Sequence, residues 1–224
     1  QPSFDIQHIY RGLEVIAEET DFIQSELYKN SLAISKRNDK ILYYDCTNYF
    51  FEIEQAEGLK QYGPSKEHRP NPIVEMGLFM DGDGIPLAFS IHSGNTNEQT
   101  TLLPLEQTIM KDFELSKFVV CTDAGLSSTK NRKFNNKGER SFITTQSVKK
   151  LKRHLKTWAL SETGWLLAGD KSKKEYNLTE LDYNEDGTSK YQTATFYKER
   201  WIKEDGLEQK LIVTFSLKYK KYQE

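Results

Sequence analysis

A chain of 224 residues with 37% apolar and 12% aromatic side chains can bury a core, which excludes a disordered polypeptide. No apolar run reaches the roughly 18 to 20 residues of a membrane-crossing helix, QPSFDIQHIY is not a basic-then-apolar leader, and Cys46 and Cys121 offer neither a disulfide framework nor a zinc-ligand spacing. The net charge of −2 hides an asymmetry: residues 1–58 hold eleven acids against five Lys/Arg, whereas residues 126–156 hold ten Lys/Arg against Glu139 alone.

In chain order, residues 4–34 show helical spacing. Ile6, Ile9, Tyr10, Leu13, Ile16 and Ala17 share one face, and Phe22, Ile23, Leu27 and Leu32 continue it less regularly. Residues 1–40 are therefore read as a helical lead-in. The stretch ILYYDCTNYFFEIE, residues 41–54, reads as a strand with one short acid, Asp45, set inside it. A polar connection with Gly58, Gly63 and three prolines follows. IVEMGLFM and IPLAFSIHS are strand-like runs joined by DGDG, a hairpin signal, and its Asp81 and Asp83 are read as turn acids because the remaining ligands of a calcium loop are missing.

GNTNEQTTLLPLEQTIMKDF predicts a helix. Asn95 with Glu98 fits a capping box, Leu102, Leu105, Ile109 and Phe113 fall near one face, and Pro104 marks either a kink or the first turn. KFVVCTD predicts a short strand ending on Asp123, GERSFITTQ a further one, and SVKKLKRHLKTWAL a basic amphipathic helix with Val148, Leu151, Leu155 and Trp158 on its apolar side. From about residue 161 the chain becomes rich in Thr, Tyr and Phe with NEDG and KEDG turns, which reads as a β meander.

The expected fold class is α/β: a mixed five-stranded sheet with flanking helices, followed by the start of a β-rich insertion. Its first three strands are antiparallel neighbours, and the fourth runs parallel to the first after a right-handed crossover. Asp45 and Asp123 then meet at the carboxyl ends of adjacent parallel strands, where open α/β sheets bind ligands. Two carboxylates that close repel unless a cation lies between them, and a hard ion such as magnesium suits them. With a second ion about 4 Å away, such a site activates a water or hydroxyl and stabilises the leaving oxygen of a phosphodiester. Each Asp taken alone also fits a cap or turn acid.

YYDCTNYFFE, GPSKEHRP, DGDGIPLAFSIHSGNTNEQTTL and VVCTDAGLSS resemble, as an ordered set over residues 40–150, the catalytic domain of insertion-sequence transposases of the DDE class, of the IS4-like kind with a ribonuclease H-like fold. The resemblance implies catalytic and metal-binding roles for Asp45 and Asp123, Mg2+ (or Mn2+) as cofactor, and nicking and strand transfer at transposon ends. It also implies a homodimer in the full-length active complex. The domains are then the lead-in 1–40, a catalytic domain 41–160 and an incomplete β-rich insertion 161–224. The family's third acid is a Glu in a helix of the pattern Tyr-x2-Arg-x3-Glu-x6-Lys. The nearest imitation, Tyr197, Arg200, Glu204 and Lys210, alternates like a hairpin around EDG, and its lysine falls one residue short. The expectation is that the true Glu lies beyond residue 224 and that the chain is a piece of a longer protein.

DNA is the expected partner, no membrane is expected, and the location is cytoplasmic, with the nucleoid when bound. Lys149, Lys150, Lys152 and Arg153 in the basic block, and Lys66 and Arg69 with Ser65 and His68 in the loop after the first strand, are the candidate DNA-backbone contacts; a solvated surface fits them as well. His92 is read as a surface histidine or a neighbour of the metal site, Trp158 and Trp165 as core or base-stacking residues, and Cys46 as a buried thiol without the partners of a nucleophile. Two alternatives compete: a truncated remnant that only binds DNA or a partner transposase, and a phosphohydrolase with an aspartyl nucleophile. The latter requires a second acid two positions on, and Thr47 stands there.

Overall fold

The computed structural model describes residues 3–181 and 189–219. The chain divides into two compact units, residues 1–146 and 147–224.

The first unit opens with two helices, α1 (Ile6–Glu18) and α2 (Thr20–Ile34). Asp5 caps α1, accepting from the Gln7 and His8 amides, while Ile6, Tyr10, Leu13 and Ile16 all remain exposed. The sheet consists of β1 (Ile41–Phe50), β2 (Ile73–Asp81), β3 (Pro86–Ser93), β4 (Val119–Thr122) and β5 (Ser141–Thr144), in the order β3-β2-β1-β4-β5. β1, β2 and β3 pair antiparallel, while β4 runs parallel to both β1 and β5. This is the expected mixed five-stranded sheet with flanking helices. Helix α3 (Leu102–Asp112) makes the crossover into β4, and α4 (Thr129–Asn135) lies between β4 and β5.

Period-two alternation sorts the sheet residues between its faces. Leu42, Tyr44 and Cys46 point inward with Phe79, and Tyr28 of α2 and Leu102, Leu105 and Ile109 of α3 close that core. Gly77 belongs to the same face because a Cβ there would lie 2.0 Å from the Tyr44 hydroxyl. Gln24 clips α2 to β3, accepting from the Phe89 amide at 2.6 Å and donating to its carbonyl at 3.2 Å. The opposite face carries Tyr43, Phe89, Ile91 and Ile143 exposed, and Asp45 with them.

The DGDG turn forms as expected, with Gly84 at φ 79°. Its first acid has a second task. Asp81 is fully buried, accepts from the Asp83 and Ile85 amides, and takes Arg37 Nε at 2.6 Å, which holds the carboxyl below its ordinary range against the cost of burial.

Two elements differ from expectation. Asn95 does not cap the predicted helix, because its Oδ1 is engaged by Ser93 Oγ at 2.8 Å. Asn97 instead caps a single 3-10 turn, Glu98–Thr100, and Pro104 falls in the first turn of α3, where a missing N–H leaves nothing unpaired. The predicted basic helix is also broken. A 3-10 turn, Val148–Lys150, gives way to extended Leu151, and α5 (Arg153–Leu160) begins afresh. An unbroken helix would stack Lys149 on Arg153 and Lys152 on Lys156 at i,i+4, which is repulsive.

The second unit holds α5 and a sheet of β6 (Trp165–Leu167), β7 (Glu175–Tyr176), β8 (Thr195–Glu204) and β9 (Leu207–Ser216), ordered β7-β6-β8-β9 and antiparallel throughout. The KEDG turn links β8 to β9 with Asp205 at φ 51° and Gly206 at φ 76°, the positive pair that a two-residue hairpin requires. The NEDG turn lies outside the described residues. Trp165 and Phe196 anchor the core, and Lys198 is buried with its amine donating to Ser161 O at 2.8 Å and Oγ at 2.9 Å, 4.4 Å from the Trp165 ring centroid. Trp165 is thus a core residue, while Trp158 is half-buried. Among the described residues no helix is long and apolar enough to cross a membrane.

Candidate functional site

The register of β1 and β4 aligns the two aspartates. β1 and β4 pair in parallel at Ile41 with Val119, Leu42 with Val120 and Tyr43 with Cys121. Two residues beyond the last of these pairs, at equal offset along the chain, come Asp45, still in β1, and Asp123, just past β4, and both are exposed. Only Asp123 lies at a strand end, just past Thr122. Asp45, expected at the carboxyl end of its strand, occupies the middle of β1, which runs on to Phe50 against β2. β4 stops short because Asp123 turns the chain, its Oδ1 accepting the Leu126 amide at 3.1 Å and its carbonyl accepting Thr144 Oγ1 at 2.9 Å. Leu126 is buried and Gly125 packs closely on the carboxylate, where a Cβ would lie 3.3 Å from Oδ1.

Asp45 is 69% exposed at its side chain; its Oδ1 accepts the Cys46 amide at 2.8 Å and lies 3.8 Å from Lys66 Nζ. Lys66 is fastened over this point. Its amine donates to the Cys46 carbonyl and its amide to Asn48 Oδ1 at 3.3 Å. The loop before β2 therefore delivers a cation to the first acid, a relationship that spacing alone does not reveal. Arg69 turns elsewhere, paired with Glu67 at 2.8 Å and lying 4.1 Å over the Phe50 ring.

Cys46 points to the other face, into a buried polar cluster in which Tyr44 and Thr101 hydroxyls lie 2.7 Å apart and the thiol is 3.4 Å from Thr101 Oγ1. Burial pushes the thiol up to about 11, so it is not a ready nucleophile. His92 shares its Nε2 with Ser90 Oγ at 2.7 Å, and burial lowers its proton affinity.

The remaining candidates fall in the second unit. Lys149, Lys150, Lys152 and Arg153 are exposed, and Lys152 lies 3.3 Å from Glu204. The basic block is thus divided between two units, with Lys130 and Lys133 on α4 in the first and Arg140 turned inward, 10% exposed and 3.8 Å from Glu106. Glu204 is the last residue of β8, in a strand as its alternation suggests.

Magnesium takes few protein carboxylates and completes its shell with water and phosphate oxygens. Asp45 and Asp123 fit that role: two exposed carboxylates, each with Oδ1 on one backbone amide, and, among the described residues, no hydrogen bond to either Oδ2. Among the described residues no three His, Cys, Asp or Glu side chains converge as a metal cluster.

No protein-family model matches the chain, and no curated protein matches it. Among solved structures it is similar to a Mos1 transposase paired-end complex with the left transposon end, at 13% identity over 56% of this chain and 40% of that one, with a TM-score of 0.32. It is similar also to a piggyBac transposase synaptic complex with hairpin DNA, at 12% identity over 78% of this chain and 33% of that one, with a TM-score of 0.32. The chain therefore spans well under half the length of either.

Proposed function

We propose that this chain carries the catalytic sheet of an insertion-sequence DNA transposase of the DDE class, IS4-like in its motifs, acting on phosphodiester bonds at transposon ends. The observation that carries this reading is the β1–β4 register, which aligns Asp45 with Asp123 on the exposed face of the mixed sheet, on two neighbouring inner strands. Asp45 and Asp123 would hold Mg2+ (or Mn2+), which when bound supplies Lewis-acid polarisation of a phosphate and an activated water or hydroxyl. Lys66 keeps a positive charge beside Asp45 that would attract a phosphate oxygen. Glu204, strand-borne and paired with Lys152, is not assigned the third carboxylate. DNA is the partner in this reading, with Lys149, Lys150, Lys152 and Arg153 as backbone contacts, and the active assembly is a homodimer.

The test is cleavage of transposon-end DNA by the complete protein with Mg2+. Asp45→Ala and Asp123→Ala should each abolish cleavage and leave DNA binding intact, and retained cleavage in either removes that residue from the site. Binding without any Mg2+-dependent cleavage in the parent protein would favour a DNA-binding remnant instead.

A further inference from the structure

A second acidic feature lies on the other face of the sheet from Asp45. Glu75, the third residue of β2, is only 4% exposed, yet its Oε1 has no hydrogen-bond partner. Its cross-strand neighbours leave it so: Asn48 on β1 donates its Nδ2 to the Pro64 carbonyl at 3.4 Å while its Oδ1 accepts the Lys66 amide, and His92 on β3 is engaged by Ser90. Glu75 lines a cavity of about 460 Å³ whose other walls include Asn95, Asn97, Glu98, Gln99 and Gly125. All of these residues belong to the first unit.

Leaving a buried carboxylate oxygen without a partner costs a few kcal/mol, so the orphan calls for an occupant. A second carboxylate sharing the cavity raises that cost, and the charge of Glu98 does raise the proton affinity of Glu75, second to burial itself. Three occupants are conceivable. Water can donate to Oε1 but leaves the repulsion between the two acids in place. A proton on Glu75 removes the repulsion but still leaves a carbonyl oxygen in need of a donor, in a cavity many times the roughly 30 Å³ of one water. A hard cation removes both costs, and the walls include oxygens that suit it: two carboxylates, the Gln99 side-chain amide, and the Asn95 and Asn97 Oδ1 atoms, each of which also accepts one hydrogen bond, from Ser93 Oγ and the Gln99 amide, with room for the waters that such ions retain. Lys66 is a cation whose charge acts on Glu75, and its amine is committed to the Cys46 carbonyl.

We propose that the cavity between Glu75 and Glu98 is a binding site for a hard divalent cation of the magnesium, manganese or calcium class, separate from the Asp45–Asp123 pair. The ion would tie β2 to the turn at residues 95–99. That turn leads into Thr101, whose hydroxyl is 2.7 Å from that of Tyr44, and Gly125 in the cavity wall packs against the Asp123 carboxylate. The role is therefore to brace the loop that carries Asp123, whatever chemistry that loop performs.

Direct titration of the chain with Mn2+ alone, read by electron paramagnetic resonance, tests this independently of any DNA reaction. The Asp45→Asn/Asp123→Asn variant should still take up one Mn2+, and adding Glu75→Gln or Glu98→Gln should abolish that saturable binding. Ca2+ should compete with Mn2+ for the same site. Thermal unfolding keeps the result interpretable: Glu75→Gln should melt no lower than its parent without metal, since it replaces a buried acid by an amide, but should lose the Mn2+-induced rise in Tm. No Mn2+ uptake by the Asp45→Asn/Asp123→Asn variant, or undiminished uptake after Glu75→Gln and Glu98→Gln are added, overturns the proposal. Loss of Mn2+ uptake only on mutation of Asp45 and Asp123 would leave the transposase reading standing and remove this site.

Discussion

Lys66 Nζ lies 3.8 Å from Asp45 Oδ1 and donates to the carbonyl of the next residue, Cys46, so the first acid of the pair is set beside a fixed positive charge. That charge opposes metal binding at Asp45. At about 4 Å in a water-like medium the interaction is worth roughly 1 kcal/mol. Lys66→Ala should therefore tighten Mg2+ or Mn2+ binding at the Asp45–Asp123 pair by roughly fivefold, while changing stability by less than about 1 kcal/mol because the ion pair is exposed. Metal titration in a Glu75→Gln background measures the first quantity, and unchanged affinity would show that the lysine charge is not felt at the site.

Glu106 supplies a pH dependence. It is fully buried on α3, accepts from Asn135 Nδ2 at 3.0 Å, and is raised from an ordinary 4.5 to about 7, chiefly by burial. A raised acid favours its protonated form in the folded state. Its contribution is complete below about 4.5 and is lost as pH rises through about 7. Between pH 4.5 and 8 that loss is about 3 kcal/mol. Urea unfolding at pH 5.5 and 8 should show the parent less stable at the higher pH, and Glu106→Gln should flatten that dependence.

Gly77 and Tyr44 are coupled by contact. Gly77→Ala places a methyl 2.0 Å from the Tyr44 hydroxyl and 2.8 Å from the ring carbon that bears it, and should destabilise by about 1 to 3 kcal/mol as the ring is displaced. Tyr44→Phe removes the nearer atom, so the Ala substitution should cost less in that background. Equal costs in the two backgrounds would show that the ring moves aside freely.

For DNA binding, the four exposed residues of the 149–153 segment should not be equivalent. Each lost phosphate contact flattens the plot of log affinity against log salt by about 0.9. Lys149→Ala and Lys150→Ala should approach that change, whereas Lys152→Ala should fall short because Lys152 already has Glu204 at 3.3 Å. An unchanged slope in all of them would take this segment out of the DNA contact.

The sheet was legible in the sequence because its strands are separated by turn chemistry of known geometry and alternate with period two. Asp45 stood out for the same reason, as a lone acid in an aromatic strand. Glu75 carries the same mark inside IVEMGLFMD, where an acid interrupts a run that is otherwise apolar or Gly up to the turn, but its partner across the cavity, Glu98, lies 23 residues away, so no spacing links the two. Spacing does not show that Lys66 returns to Asp45, or that Arg37 reaches Asp81 across 44 residues, since both depend on how loops fold back. The broken helix at Leu151 was hidden by an apolar periodicity that satisfied the pattern while neighbouring lysines opposed it.

The end of β4 at Thr122, while β1 continues to Phe50, cuts a step into the sheet. Because alternate residues face opposite sides, one residue inserted between Ile41 and Asp45 would rotate the acid to the side of Tyr44 and Cys46, whereas two would keep it outward but slide it about 6.6 Å past Asp123. The spacing between the start of β1 and its acid is therefore intolerant of both changes, for different reasons. The loop from Phe51 to Pro72, which begins beyond the step, can vary in length so long as Lys66 still reaches back to Cys46.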